Sequence, residues 1–290
     1  MSMDANLVRR VGFAVVAIPL ALVLIWYGGA PLALVLALVG ALGARELLDL
    51  ASRGNVRPVR PLALLSAGAL PLLVYGVIVT GDLRRWVGLW WPYLAAIWLL
   101  LLLTWVLAAR GPAERPLSAA SITLLAVGYT GALPAFLLAI RHTSFALKSW
   151  SGAWLVLFPL VVTWVCDTAA MLGGRTIGGP KLAPAVSPGK TISGSTAGVV
   201  GGILMAPVFG CLVLPRVGLD IPLWQLVAIA AVLSVIGQVG DLAESLFKRE
   251  AGVKDSSHLI PGHGGVLDRF DSLYFVIPTA AAMYRAFGVI

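Results

Sequence analysis

Residues 222–247, PLWQLVAIAAVLSVIGQVGDLAESLF, decide the fold. The run is apolar over about the length a bilayer core demands of a helix, and it lacks the period-two alternation of a membrane β-strand. Its end is different in character. Asp241, Glu244, Ser245 and Lys248 recur at i, i+3, i+4 and i+7, so a continuing helix carries them on one face. The rest of the chain reads as this run does. Hydrophobic residues make up 59%, charged residues 12%, and the mean hydropathy is +0.94, whereas soluble domains are about one quarter charged. Hydrocarbon holds no water to satisfy backbone N–H and C=O groups, so such runs must be helical. We expect an all-α polytopic membrane protein with about nine transmembrane helices. They are placed at 11–28, 30–51, 61–80, 86–109, 117–140, 150–172, 196–215, 222–247 and 272–289.

Two regions follow: N-terminal transmembrane helices over 1–149, and a catalytic transmembrane region over 150–290 with polar connections at 173–195 and 248–271. Trp26, Trp86, Trp90 and Trp150 lie near span ends, where amphipathic rings favour the headgroup zone. Arg9-Arg10 precedes an apolar run, but a second span follows at once without a cleavage site, so we do not read a signal peptide. Cys166 and Cys211 fall inside apolar runs and make no disulfide or zinc pattern.

Lys and Arg set the orientation. With the N-terminus cytoplasmic, that side receives Arg9, Arg10, Arg45, Arg53, Arg57, Arg60, Arg110, Arg115, Arg175, Lys181, Lys190, Lys248, Arg249, Lys254 and Arg269. The other side receives Arg84, Arg85, Arg141, Lys148 and Arg216, so both polar connections are expected in the cytoplasm. The formal charge of +8 is that same topology signal plus attraction to anionic lipid heads. No nucleic-acid-binding module accompanies it.

The connection GGRTIGGPKLAPAVSPGKTISGS, residues 173–195, exposes backbone amides and sets cations among them, a composition that suits phosphate. Its SPGKT segment is not a Walker loop, because Pro184 stands where that pattern needs glycine. The second connection, SLFKREAGVKDSSHLIPGHGGVLDRFD at 245–271, crowds acids and bases beyond what a linker needs. Asp268 and Asp271 are three apart, and a divalent cation fits between such carboxylates, since Mg²⁺ takes a few carboxylate oxygens together with phosphate and water. Asp167 lies inside the sixth apolar run, where an ionisable group is a functional candidate. Glu46 and Asp49 are expected to pair with Arg45 or Arg53, and Glu250 and Asp255 with their basic neighbours. His142 and His258 read as solvent or interface residues.

Residues 245–271 resemble the phosphatidate cytidylyltransferases, or CDP-diacylglycerol synthases. The resemblance rests on Ser245, Lys248-Arg249, Lys254-Asp255, Ser257, Pro261, His263-Gly264-Gly265, Val266, Asp268-Arg269 and Asp271 at the family's spacing. The DTAAMLGGR and KLAPAVSPGKT segments extend it back to residue 167. The chain departs from the family at Met171, where an aromatic residue is usual, and at Ser193, where an acid is usual. The resemblance implies transfer of CMP from CTP to phosphatidic acid, giving CDP-diacylglycerol and pyrophosphate in a bacterial inner membrane, with the site facing the cytoplasm. It implies Mg²⁺, with room for a second cation, on Asp241, Asp268 and Asp271. Lys248, Arg249 and Arg269 would then neutralise phosphate, and His263 would orient it. Asp167, Lys181, Ser187, Lys190, Thr191, Ser245, Gly264 and Gly265 would bind substrate. The expected partners are CTP, phosphatidic acid and the lipid bilayer, without nucleic acid and with a homodimer as the candidate assembly. Two other functions fit parts of the pattern. A CTP-dependent polyisoprenol or lipid kinase would release CDP instead of pyrophosphate. An ion-coupled transporter would use Asp167, but the 167–271 pattern has no second copy of the kind transporter repeats show.

Overall fold

In the computed structural model the described residues are 3–260, 262 and 264–290, with side chains described from residue 15 onward. The chain is helical and integral to a membrane. Among the described residues, seven helical segments are long and apolar enough to cross a bilayer: Gly29–Arg53, Arg60–Val79, Gly81–Ala109, Pro116–His142, Trp150–Thr176, Ile192–Val213 and Leu223–Glu250. These correspond to the second through eighth expected spans, so the count of nine is corrected to seven. The ninth expected span fails on length. Its helix is Leu273–Ala286, of 14 residues, or about 21 Å at 1.5 Å per residue. The apolar residues after it do not continue the helix, because the chain turns at Gly288 with φ +70°. The first helix runs Met3–Tyr27, but its described apolar stretch is only Val15–Tyr27.

Outer surfaces carry the lipid-facing signature. Leu107 is 82% exposed and Leu117 is 80% exposed, which water would penalise and acyl chains do not.

The chain forms two compact units that interleave along the sequence. The first comprises Met1–Ile18, Gly29–Ala139 and Glu250–Arg269. It contains α2 (Gly29–Arg53), α3 (Arg60–Val79), α4 (Gly81–Ala109), α5 (Pro116–Ala126) and most of α6 (Leu133–His142). A wide helical turn at Val127–Ala132 joins α5 to α6. There the Thr130 hydroxyl donates to the Gly40 carbonyl at 3.0 Å, and a Cβ on Gly131 would sit 2.7 Å from the Ala67 backbone. Small residues therefore let α2, α3 and this turn meet backbone to backbone.

The second unit comprises Pro19–Gly28, Ile140–Arg249 and Phe270–Ile290. It includes the end of α1 (Met3–Tyr27), then α7 (Trp150–Thr176), α8 (Ile192–Ile203), α9 (Met205–Val208), α10 (Leu223–Glu250) and α12 (Leu273–Ala286). The short α11 (Leu267–Phe270) bridges the sequence boundary. The 173–195 connection is not purely irregular. Strands β1 (Lys181–Ala183) and β2 (Ser187–Thr191) pair antiparallel, Lys181 opposite Thr191 and Ala183 opposite Ser187. Arg141 is fully buried and donates to the Ile25 and Trp26 carbonyls at 2.7 and 2.6 Å, satisfying acceptors that the end of α1 leaves open. His142 is also buried, contrary to expectation, with its ring where a Cβ on Gly28 would lie.

Candidate functional site

The second unit holds a cavity of about 410 Å³ lined by Asp167, Arg175, Lys190, Thr191, Gln238 and Asp241 among others. Local packing explains why these residues converge. On α8, a Cβ at Gly194 would lie 2.6 Å from the Ala170 carbonyl and one at Gly198 would lie 2.9 Å from the Cys166 carbonyl, so α8 packs directly on the backbone of α7. That contact sets the hairpin and the start of α8 beside Asp167. The Thr191 side chain caps α8 by accepting from the Gly194 N–H at 3.1 Å, and the helix N-terminus adds a partial positive charge. Gln238, on α10, donates to the Ser195 carbonyl at 3.2 Å and accepts from the Ser195 hydroxyl at 2.5 Å.

Lys190 ion-pairs with Asp241 Oδ2, and Ser245 donates to Asp241 Oδ1 at 3.3 Å. One turn further along α10, Glu244 is fully buried and meets Lys248 at 2.5 Å. The face predicted from the i, i+3, i+4, i+7 spacing is therefore real, and part of it is an internal ion pair. Arg249 donates to the Val186 carbonyl at 3.0 Å, tying α10 to the hairpin.

Asp271 belongs to this unit as well. A Cβ on Gly240 would lie 2.8 Å from the Asp271 carbonyl, so glycine at that position lets α10 close on the start of α12. The Asp271 carboxyl is pushed up to about 7 by burial and by the charges of Asp241 and Asp167, against opposing effects of the Ser272 N–H and Lys248. Three carboxylates thus repel one another across the site, with Lys190 and Lys248 only partly offsetting them. Among the described residues no three His, Cys, Asp or Glu side chains converge on one point.

Of the residues singled out in the sequence, Asp167, Lys190, Thr191 and Asp241 line the cavity. Asp271 and Lys248 act on its charge, and Ser245 touches Asp241. Lys181 and Ser187 lie on the hairpin strands and are not themselves lining residues, although Lys181 stands opposite Thr191, which is. Gly264, Gly265, Asp268 and Arg269 fall in the first unit. There the Asp268 carboxylate is buried and its Oδ2 accepts from the Ser256 N–H, the Ser256 hydroxyl and the Gly265 N–H at 2.9, 2.8 and 2.8 Å. Arg269 is exposed, and His263 lies outside the described residues. Asp49 pairs with Arg60 at 2.6 Å and with Arg45 at 4.0 Å. Among the described residues Glu46 pairs with no base and instead accepts from Ser256, Ser257, Val266 and Leu267. Its place among Gly43, Leu47 and Leu50 on the buried face of α2 was the available signal: an acid on an apolar stripe.

A family model described as the cytidylyltransferase family matches residues 8–287. The chain is 41% identical over 159 residues to the phosphatidate cytidylyltransferase of Staphylococcus saprophyticus, covering 55% of this chain and 56% of that relative. It is 40% identical to the enzyme of the same name from Staphylococcus haemolyticus and 39% identical to that of Staphylococcus aureus, with the same coverage. The chain thus spans about half the length, 56%, of the curated relatives it matches.

Proposed function

Because the chain belongs to the cytidylyltransferase family, we propose that it transfers CMP from CTP to phosphatidic acid, forming CDP-diacylglycerol and pyrophosphate. The observation that carries this reading is the cavity of the second unit, which gathers Lys190, Arg175, Thr191 and the start of α8 against Asp167 and Asp241. Cations and a helix N-terminus suit a triphosphate, and mutually repelling carboxylates suit a cation. A phosphatidate oxygen attacks the α-phosphorus of CTP while the bond to pyrophosphate breaks in line, so no side-chain nucleophile is needed. The protein's work is positioning and charge neutralisation.

The residues present fit Mg²⁺. Burial first, and the charge of Asp241 second, raise the Asp271 carboxyl to about 7, and Mg²⁺ is commonly held by one or two carboxylates with substrate phosphates and water completing its shell. Asp241 and Asp271 would hold the ion, and its chemistry there would be Lewis-acid neutralisation of phosphate charge. Lys190 sits on Asp241 and is placed to transfer its charge to an incoming phosphate. Lys248, held by buried Glu244, supplies a positive charge that acts on Asp271. Asp268, with one oxygen committed to three donors of its own loop, is assigned to shaping that loop. The Lys and Arg distribution supports a cytoplasmic face for both polar connections and, with bacterial relatives, a plasma-membrane location. A homodimer completes the proposal, to be read from the mass of the detergent-solubilised protein.

Detergent-purified protein should convert CTP and phosphatidic acid to CDP-diacylglycerol and pyrophosphate only with a divalent cation. Undiminished turnover in excess EDTA would remove the metal from the proposal. CDP as the nucleotide product would replace the transferase with a kinase.

A further inference from the structure

Glu46 is 4% exposed in the middle of a helical face made of Gly43, Leu47 and Leu50. Packing alone would be served there by an apolar residue, and a buried carboxylate is tolerated only when its oxygens are satisfied. They are, and by one segment. Oε1 accepts from the Ser257 hydroxyl at 2.7 Å and the Val266 N–H at 3.0 Å, and Oε2 accepts from the Ser256 hydroxyl at 2.9 Å and the Leu267 N–H at 2.7 Å. Only an ionised carboxylate offers acceptors on both oxygens to four such donors, whereas an amide would turn an N–H group toward two of them.

The same segment is gripped a second time. Ser256 shares its hydroxyl proton between Glu46 and Asp268, and Asp268 also takes the Ser256 and Gly265 N–H groups. This double grip explains the adjacent glycines. Gly264 adopts φ +80° with space for a Cβ only 2.6 Å from Asp268 Oδ2, and a Cβ on Gly265 would collide with Ser256 Oγ and the Glu46 carboxylate.

We infer that Glu46 is a positioning residue for the proposed cytidylyl transfer: it anchors the 256–267 segment to α2 and thereby fixes the geometry of Gly264, Gly265, Asp268 and Arg269. The inference rests on the proposed function for its catalytic consequence and on the first unit alone for its geometry.

The test is Glu46→Gln in the full chain, purified in detergent, assayed with CTP, phosphatidic acid and Mg²⁺ and followed by amide hydrogen exchange. A misplaced supporting group can cost about 10²-fold in rate. We expect a loss of about that size in kcat, and KM for CTP within about twofold, because uniform binding is untouched. Val266 and Leu267 should lose exchange protection while the amides of α3 and α5 keep theirs. Wild-type kcat together with unchanged exchange at Val266 and Leu267 overturns the inference, as does a rise in KM for CTP with kcat unchanged. Should Glu46→Gln fail to fold, Ser257→Ala decides. Losing one of the four donors should slow kcat by about threefold and speed local exchange, and wild-type behaviour in both measurements overturns the anchor. Should the wild-type protein itself make no CDP-diacylglycerol, the proposed function fails, and the exchange measurements alone then support or overturn the anchoring role.

Discussion

Asp268 and Asp271 are three residues apart and occupy opposite electrostatic situations. Asp268, in the first unit, is surrounded by donors: three hydrogen bonds end on a single oxygen. Asp271, in the second, receives the Ser272 N–H at 2.6 Å, and burial first, then the charges of Asp241 and Asp167, raises its carboxyl to about 7. Hydrogen-bond donors hold a carboxylate ionised, and like charges resist its ionisation. A signature motif therefore contains acids of two kinds. One accepts three hydrogen bonds on one oxygen and shapes a loop, and the other is buried beside like charges.

The sharpest way to break this contrast is to neutralise the acids that act on one another's charge. Asp271→Asn and Asp241→Asn should each lower CDP-diacylglycerol formation by about 10²–10³-fold, the usual size of one electrostatic contributor at a reacting centre. Size-exclusion profiles should stay unchanged, since an amide keeps the shape of each side chain and one acceptor oxygen. Activity of either variant near the wild-type level would place the cation elsewhere.

Asp268→Asn should cost somewhat less, about 10²-fold, through loss of loop geometry. A Mg²⁺ titration separates the two kinds of acid. Raising Mg²⁺ should partly recover Asp271→Asn and leave Asp268→Asn unmoved. Recovery of Asp268→Asn at high Mg²⁺ would make Asp268 a cation ligand, as the sequence reading had it.

The raised Asp271 carboxyl also predicts a pH dependence of stability with a definite sign. Its folded value of about 7 lies above the ordinary 3.8, so between those values the folded state binds more protons than the unfolded state. Stability from this group is full below about pH 4 and is lost as pH rises toward about 7. Cation-free protein in EDTA should therefore show a Tm that falls across that window, and Asp271→Asn should flatten the slope. An unchanged slope in the variant would assign the dependence to another group.

Much of this was legible in the chain because it depends on neighbours in sequence. The apolar runs of α2 through α10 and the polar face of α10 follow from residues within a few turns of one another. The overcounted ninth span shows the limit of that reading, since hydropathy continues through Phe287 and Ile290 while the backbone turns at Gly288. Long-range pairing was not legible. Glu46 has Arg45 beside it, and local rules assign the two to each other, yet its partners lie more than 200 residues downstream, at separations of 210 to 221. The Asp268 and Asp271 roles were merged for the same reason. Spacing shows that two side chains can meet one ion but does not show which donors reach them first.

The smallest expected effect comes from the same loop. Asp255 precedes Ser256 by one residue but is exposed, whereas Ser256 is buried. Among the described residues Asp255 forms no ion pair, so the expected pairing with Lys254 is absent. Even an exposed pair would contribute only about 0–1 kcal/mol, and an exposed carboxylate without an ion pair among the described residues should contribute less. Asp255→Asn should accordingly keep turnover within about twofold of wild type, keep the Mg²⁺ dependence, and leave Val266 and Leu267 protected from exchange. The comparison with Asp268→Asn is direct, because both substitutions remove one negative charge from the 250–269 segment. If charge in the segment were what mattered, the two variants would fail alike. If hydrogen-bonded anchoring matters, only Asp268→Asn fails. A dead Asp255→Asn with an intact loop would mean that this carboxylate meets substrate directly, and the division between loop-anchoring acids and mutually repelling acids would have to be redrawn around it.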